Sequence, residues 1–232
     1  MRQIILDTET TGLEPANGHR ILEIAGVEIV NRRLTGNDFH RYVNPERDSE
    51  EGALQIHGLT SEFLADKPRF REIVDELLDY VSGAELVIHN APFDVAFLNH
   101  ELNLLDRKPI TEYCPSIVDT LRMARELHPG KKNSLDALCE RYQVDNSART
   151  LHDALLDAKL LAEVYLAMTR GQDSLAMDVH PAAAAAVEAG AAAGLDLIVL
   201  PADAEELAAH EKVLLEIDKA SRGACLWRRL KA

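Results

Sequence analysis

Cysteine and positive charge are both scarce in this sequence. Its cysteines, Cys114, Cys139 and Cys225, are odd in number and far apart, which excludes a disulfide scaffold and any closely paired zinc or redox motif and fits reduced thiols in a cytosolic protein. No stretch approaches the roughly 20 apolar residues of a membrane span. The first apolar run starts at residue 3 or 4, leaving no room ahead of it for a charged leader and an apolar signal core. Lys and Arg total 25 against 39 Asp and Glu, a formal net charge of -14. Long-range attraction to phosphates needs positive potential. The acidity therefore argues against a passive DNA binder more than against a protein that gathers carboxylates around divalent metals.

What is present is core-forming material: 47% of the 232 residues are hydrophobic, ordinary for a globule and enough for one large domain or a domain with an appendage. The chain is organised around Ile4-Ile5-Leu6-Asp7-Thr8-Glu9-Thr10-Thr11-Gly12. An apolar strand leads into two acids one residue apart. In extended chain, positions i and i+2 share a side and lie roughly 6.7 Å apart, so Asp7 and Glu9 can aim at one point and invite a cation. Alone, such a pair is a weak signal, equally at home in a solvated polar turn.

Farther along, Ile21 to Val30 reads as a second strand interrupted by Glu23 and Glu28, and Leu34 to Val43 as a third after a turn near Asn31-Arg33. Glu50 to His57 can form a short helix broken by Gly58. From Pro68, apolar residues at helical spacing (Phe70, Ile73, Val74, Leu77, Leu78, Val81) predict a helix packed on the sheet. Leu86-Val87-Ile88 is a short strand. It runs into His89-Asn90-Ala91-Pro92-Phe93-Asp94, where Pro92 opens a helix and Asp94 falls in its first turn, at the sheet edge. Ile117 to Thr120 is a short strand whose Asp119 or Thr120 caps a helix to Leu127. The Lys131-Lys132 loop reaches a phosphate or is merely solvated, and Ser134 caps the next helix, which holds Cys139 in the core. His152 to Asp157 opens a long helix. Five residues do not stack on one helix face, and the spacing works if His152 comes from the incoming segment and bends over a metal held by Asp157. Beyond Met168 the composition shifts: Gly171 to Pro181 looks like a linker, and Ala182 to Gly194 holds nine alanines and two glycines, tether or weak helix rather than core. Leu197 to Leu200 is strand-like, Ala204 to Ala220 carries a stripe of Leu207, Leu214 and Ile217, and Trp227 is the only tryptophan. So short a piece needs a partner to complete its burial.

Asp7, Glu9, Asp94 and Asp157 at one sheet edge repel one another unless compensated. Magnesium or manganese compensates through hard oxygen ligands while leaving positions for water and phosphate. Four acids and a histidine suit two-metal phosphodiester hydrolysis, with Asp7 shared, Glu9 and Asp157 on the metal nearer the attacking water, and Asp94 supporting the other. His152, an imidazole of ordinary pKa about 6.5, is the base for that water. Composition leaves a phosphomonoesterase or a structural metal protein open.

Asp7-Thr8-Glu9-Thr10-Thr11-Gly12-Leu13, Asn90-Ala91-Pro92-Phe93-Asp94 and His152-x4-Asp157 together resemble the three motifs of the DEDDh exonucleases, over about residues 3 to 168. The resemblance implies an α/β, RNase H-like three-layer fold with a mixed central β-sheet flanked by helices, and 3'-5' removal of nucleotides as 5'-monophosphates with two Mg2+ or Mn2+ ions. It places Thr8, Thr10, Leu13, His57, Asn90 and Phe93 around the 3'-terminal nucleotide. Within that class, Ile56-His57-Gly58-Leu59-Thr60, Pro115 to Thr120, Glu205 to Glu211 and Gly223 to Arg228 resemble the epsilon proofreading subunits of bacterial DNA polymerase III. That likeness implies an exonuclease domain at 1–170, a flexible linker at 171–194 and a docking tail for the polymerase catalytic (alpha) subunit at 195–232. It further implies cytoplasmic work at a bacterial replisome, and leaves open whether a small accessory subunit binds. Gln172, Leu175 and Met177 resemble the weak sliding-clamp motif of that family, Met177 standing where an aromatic is common; an ordinary linker is the alternative. The rivals are a housekeeping 3' exoribonuclease or oligoribonuclease, which would not need the tail, and a catalytically silent replication scaffold.

Overall fold

The computed structural model describes residues 1–170, 201–221, 223, 225 and 227. The chain divides into two compact units, Met1–Met177 and Asp178–Ala232. The first is built on one mixed sheet. β1 (Arg2–Thr10) lies between β2 (Ile21–Val30), to which it pairs antiparallel, and the parallel β5 (Glu85–Ile88), with β6 (Ile117–Asp119) parallel beyond it. β3 (Arg33–Leu34) and β4 (Phe39–Tyr42) both pair with β2.

The third strand expected at 34–43 is thus two short pieces, parted around Gly36 at φ 80°, a left-handed conformation that glycine adopts without steric penalty. The turn ahead of it uses Asn31 and Arg32, both at positive φ, as a tight hairpin between right-twisted strands requires. β1 carries Asp7 and Glu9 on the strand itself, as their i, i+2 spacing expects, and runs one residue farther, through Thr10; its register with β2 shifts only between Glu9 and Thr10.

Strand alternation divides the core in two. Ile4 and Leu6 join the cluster formed with α3 (Phe70–Val81) and α4 (Ala91–Asn103), whereas Ile5 joins the cluster formed with α6 (Leu135–Tyr142) and α7 (Ala154–Met168), to which α5 (Thr120–Leu127) adds Ala124. The result is helices, sheet, helices. On α3 the predicted residues Phe70, Ile73, Val74, Leu77, Leu78 and Val81 are all buried, each contributing about 1.5–3 kcal/mol as an upper bound. Two short helices, α1 (Glu51–His57) and α2 (Ser61–Leu64), follow β4; α1 stops at Gly58, φ 71°. Asp119 caps α5 and Ser134 caps α6, as their positions predict.

In the second unit, α8 (Ala204–Ala220) is opened by Asp203 and Glu206 in a reciprocal capping box. The expected strand at Leu197–Leu200, the linker and alanine-rich tract at 171–194, and the clamp-motif residues Gln172, Leu175 and Met177 lie outside the described residues. No helix among the described residues is long and apolar enough to cross a membrane.

Candidate active site

The site forms where β1 runs out between α4 and α7. Strand periodicity sends Asp7 and Glu9 to the side of Ile5, the α7 side. Asn90, at φ 66°, turns the chain out of β5 into α4, and Asp94 in the first turn accepts a hydrogen bond from Thr8 Oγ1 at 2.7 Å. A residue of β1 that points the other way thus fixes the carboxylate arriving from β5. Asp157 sits in the first turn of α7, whose N-cap is Asp153. His152 precedes the helix, as five-residue spacing requires, and its backbone N–H donates to the Ile56 carbonyl of α1 at 3.0 Å. Gly58, at φ 71°, turns the chain out of α1 with the Leu151 side chain packed beside it.

The three motifs meet. Donor atoms of Glu9, His152 and Asp157 all lie within 4.8 Å of one another, the one such group among the described residues. His152 Nδ1 is 3.3 Å from Asp157 Oδ2 and 3.9 Å from Glu9 Oε1. Asp7 and Asp94 line the same cleft of about 610 Å³, as do Asn90 and Lys131. Beside it, an apolar pocket of about 280 Å³ is lined by Thr8, Thr10, Leu13, His57 and Phe93. Every residue singled out as a nucleotide contact therefore borders one of the two spaces, and Thr8 and Phe93 border both.

His57 is buried; its Nδ1 accepts the Leu59 N–H at 2.9 Å, so Nε2 carries the ring hydrogen, and that buried atom has no partner among the described residues. Burial, then the nearby His152, lowers its pKa, which keeps it a neutral donor facing the apolar pocket. Leu13, 72% exposed, flanks the same space.

Electrostatics mark the cleft as a cation site. Burial first, then the charges of Asp94, Glu9 and Asp157, pushes the Asp7 carboxyl well above its usual range. Burial, then Asp157 and Glu23, takes Glu9 up to about 8. Asp94 rises to about 7 through burial, against the opposing hydrogen bond from Thr8. Asp157 goes the other way: burial would raise it, but hydrogen bonds from His152 and Arg149 and the Arg149 charge together hold it low. Buried carboxylates that keep protons for want of a counter-charge, all offering oxygen, suit a hard divalent cation such as Mg2+ or Mn2+.

Two charged residues of this site are not apparent as such from sequence. Glu23, opposite Glu9 across the β1–β2 pair and 1% exposed, accepts from the Ala154 N–H that starts α7 at 3.2 Å and pairs with His40 at 2.7 Å. An acid inside an otherwise buried apolar strand was the signal, since buried charge requires a partner. Arg149 reaches Asp157 and Asp136 from the loop before His152; nothing in its spacing marks it.

Comparisons with known proteins agree with this geometry. A family profile described as Exonuclease matches residues 4–165. DNA polymerase III subunit epsilon of Pasteurella multocida is 50% identical, over 98% of this chain and 94% of that protein. The Escherichia coli subunit epsilon is 51% identical over 98% and 97%. Among solved structures, exonuclease X in complex with 5' overhanging duplex DNA superposes with a TM-score of 0.59 at 27% identity, covering 74% of this chain and 93% of that one. The nuclease domain of 3'hExo, described as a DEDDh family member bound to rAMP, shares the fold with a TM-score of 0.63 at 21% identity over 74% and 92%.

Proposed function

The chain belongs to this exonuclease family and, within it, to the DNA polymerase III epsilon subunits, and we propose that Asp7, Glu9, Asp94, His152 and Asp157 carry its chemistry. It is a 3'-5' exonuclease, the proofreading subunit of DNA polymerase III, acting on single-stranded or mispaired DNA ends and releasing deoxynucleoside 5'-monophosphates. The observation that carries the site assignment is the approach of Glu9, His152 and Asp157 within one cation's reach, in the cleft that Asp7 and Asp94 also line.

Asp7, Glu9, Asp94 and Asp157 would hold two divalent ions, Mg2+ or Mn2+. Ions bound there supply Lewis-acid stabilisation of the phosphoryl oxygens and acidify the attacking water. His152, half-exposed beside Asp157, takes that water's proton and returns it to solvent. Thr8 fixes Asp94. The apolar pocket receives the terminal nucleoside: Leu13 and Phe93 flank it, Thr10 lines its wall, His57 donates into it, and Asn90 borders the path of the preceding phosphate. A mispaired terminus reaches such a pocket more readily because it has already lost its pairing energy.

The relationship to epsilon subunits spans nearly the whole chain, beyond the exonuclease profile's end at residue 165. This supports an exonuclease domain at 1–170, a linker at 171–194 and a tail at 195–232 that binds the polymerase alpha subunit. Gln172, Leu175 and Met177 bind the sliding clamp through their Gln-x-x-Leu-x-Met spacing, and the protein works in the bacterial cytoplasm at the replisome. Alpha and the clamp retain the DNA, so an acidic editing subunit need grip only a frayed end.

The test compares mismatched primer-template DNA, single-stranded DNA and short RNA as substrates of the metal-loaded chain, with Asp7→Ala as control. Faster removal of mismatched DNA ends, lost in Asp7→Ala, is expected. Preference for RNA would replace this reading with a housekeeping exoribonuclease. Removing residues 195–232 should spare hydrolysis while ending retention on the alpha subunit.

A further inference from the structure

We propose that Arg149 is a built-in substitute for the divalent ion at Asp157, a guanidinium that holds the metal-free site assembled and has to be withdrawn when the metal enters. The proposal rests on the metal-binding reading above. Arg149 is only 8% exposed although it sits on a loop. It approaches Asp157 in a two-pronged fork, Nε to Oδ1 at 2.5 Å and Nη2 to Oδ2 at 2.7 Å. The same Nη2 lies 3.0 Å and 3.3 Å from the two ring nitrogens of His152. One cation thus engages both oxygens of a metal ligand and lies against the ring of the base that should deprotonate water.

This arrangement is stable because the guanidinium is planar, permanently charged and matched to a carboxylate. It is also incompatible with a full divalent charge at the same oxygens. The fork already takes both oxygens of Asp157, so an ion that loads there has to displace it.

Asp136 supplies the place to go. Arg149 Nη1 already donates to this exposed carboxylate at 2.7 Å, and Asn146 of the same loop donates to the same oxygen at 3.2 Å. The guanidinium can release Asp157 and remain tethered at the outer end of the cleft by a rotation of its own side chain. Arg149 is therefore a positioning residue, setting how readily the site accepts metal while keeping Asp157 and His152 in register before it does.

The experiment titrates Mn2+ into the metal-free full chain by calorimetry for wild type, Arg149→Gln and Arg149→Lys, with thermal melts in the absence and presence of saturating Mn2+. Arg149→Gln should bind Mn2+ at least tenfold more tightly than wild type. Without metal it should melt below wild type, and the gap should narrow once Mn2+ is present. Arg149→Lys, charged but unable to fork, should fall between the two. Arg149→Gln binding Mn2+ as weakly as wild type, or more weakly, would overturn the proposal and leave Arg149 a plain structural tie. If wild type itself took up no Mn2+, the metal reading would fall and this proposal with it.

Discussion

Two helices of this chain begin alike and end in opposite circumstances. α7 and α8 are each capped by an aspartate, Asp153 and Asp203, whose carboxylate accepts backbone N–H groups of the first turn. Along α7, Leu160, Leu161, Val164, Tyr165 and Met168 are buried against the sheet. Along α8 only Leu214 is buried, while Leu207, Val213, Leu215 and Ile217 are 42–57% exposed. Local sequence signals are sufficient to start a helix, but its face acquires meaning from what covers it. α7 is held by that burial where Asp157 comes within reach of β1; α8 leaves four large apolar side chains exposed. The chemistry and the proposed docking thus fall on separate elements, and each can be tested alone.

The largest effect belongs to the site that α7 serves. His152→Ala should lower kcat by about 10²–10⁴-fold, the range for loss of a general base, and Asp7→Ala by more, with retention on the alpha subunit unchanged for both; pull-down alongside single-turnover hydrolysis checks the separation. Next, Leu161→Ala on α7 should cost about 2–5 kcal/mol in denaturant unfolding, as a fully buried leucine does. Leu215→Ala on α8 should stay within about 0.5 kcal/mol yet weaken binding to the alpha subunit. Equal stability losses at the two positions would erase the distinction between the helices.

Glu23 joins α7 to β2. Glu23→Gln should cost about 1–3 kcal/mol and lower kcat while leaving KM for DNA ends little changed, because it loosens the start of α7 without touching substrate; a change in KM alone would contradict a positioning role.

A smaller effect concerns pH. In the metal-free protein Glu9 is raised from 4.5 to about 8 and Asp94 from 3.8 to about 7. A carboxyl raised on folding binds its proton more tightly in the native state, so its contribution is full below the unfolded pKa and is lost as pH rises through the folded one. Asp157, held low, is ionised in both states above pH 5 and adds no slope there. The melting temperature of wild type relative to Glu9→Gln, a comparison in which the histidines lowered by burial cancel, should therefore fall without metal between about pH 5 and pH 8, and saturating Mn2+ should flatten that fall. A difference that rose across this interval would contradict the assignment of uncompensated acids.

Much of this was legible in the letters. The apolar periodicity of α3 and the capping of α5 and α6 by Asp119 and Ser134 follow from local pattern, because strand and helix periods dictate which side chains share a face; the meeting of the three motifs was implied by the family resemblance, since no local period relates residues so far apart. That β1 includes Thr10 was not legible, since pairing with Ile21 of β2 carries the strand one residue into the expected turn. The split of the third strand hinged on the backbone of Gly36. Arg149 was illegible for a different reason: its partners stand 8 and 13 residues away, a separation that neither period relates.

The central claim is that these distant side chains converge on divalent ions at the end of a DNA strand. The most direct test is a structure of the full chain with Mn2+ and a deoxynucleoside 5'-monophosphate. Two ions held among Asp7, Glu9, Asp94 and Asp157, with the nucleoside in the Leu13–His57–Phe93 pocket, are predicted. A metal-saturated structure in which the Asp94 or Asp157 carboxylate stayed clear of the ions, or the nucleotide bound elsewhere, would contradict the account.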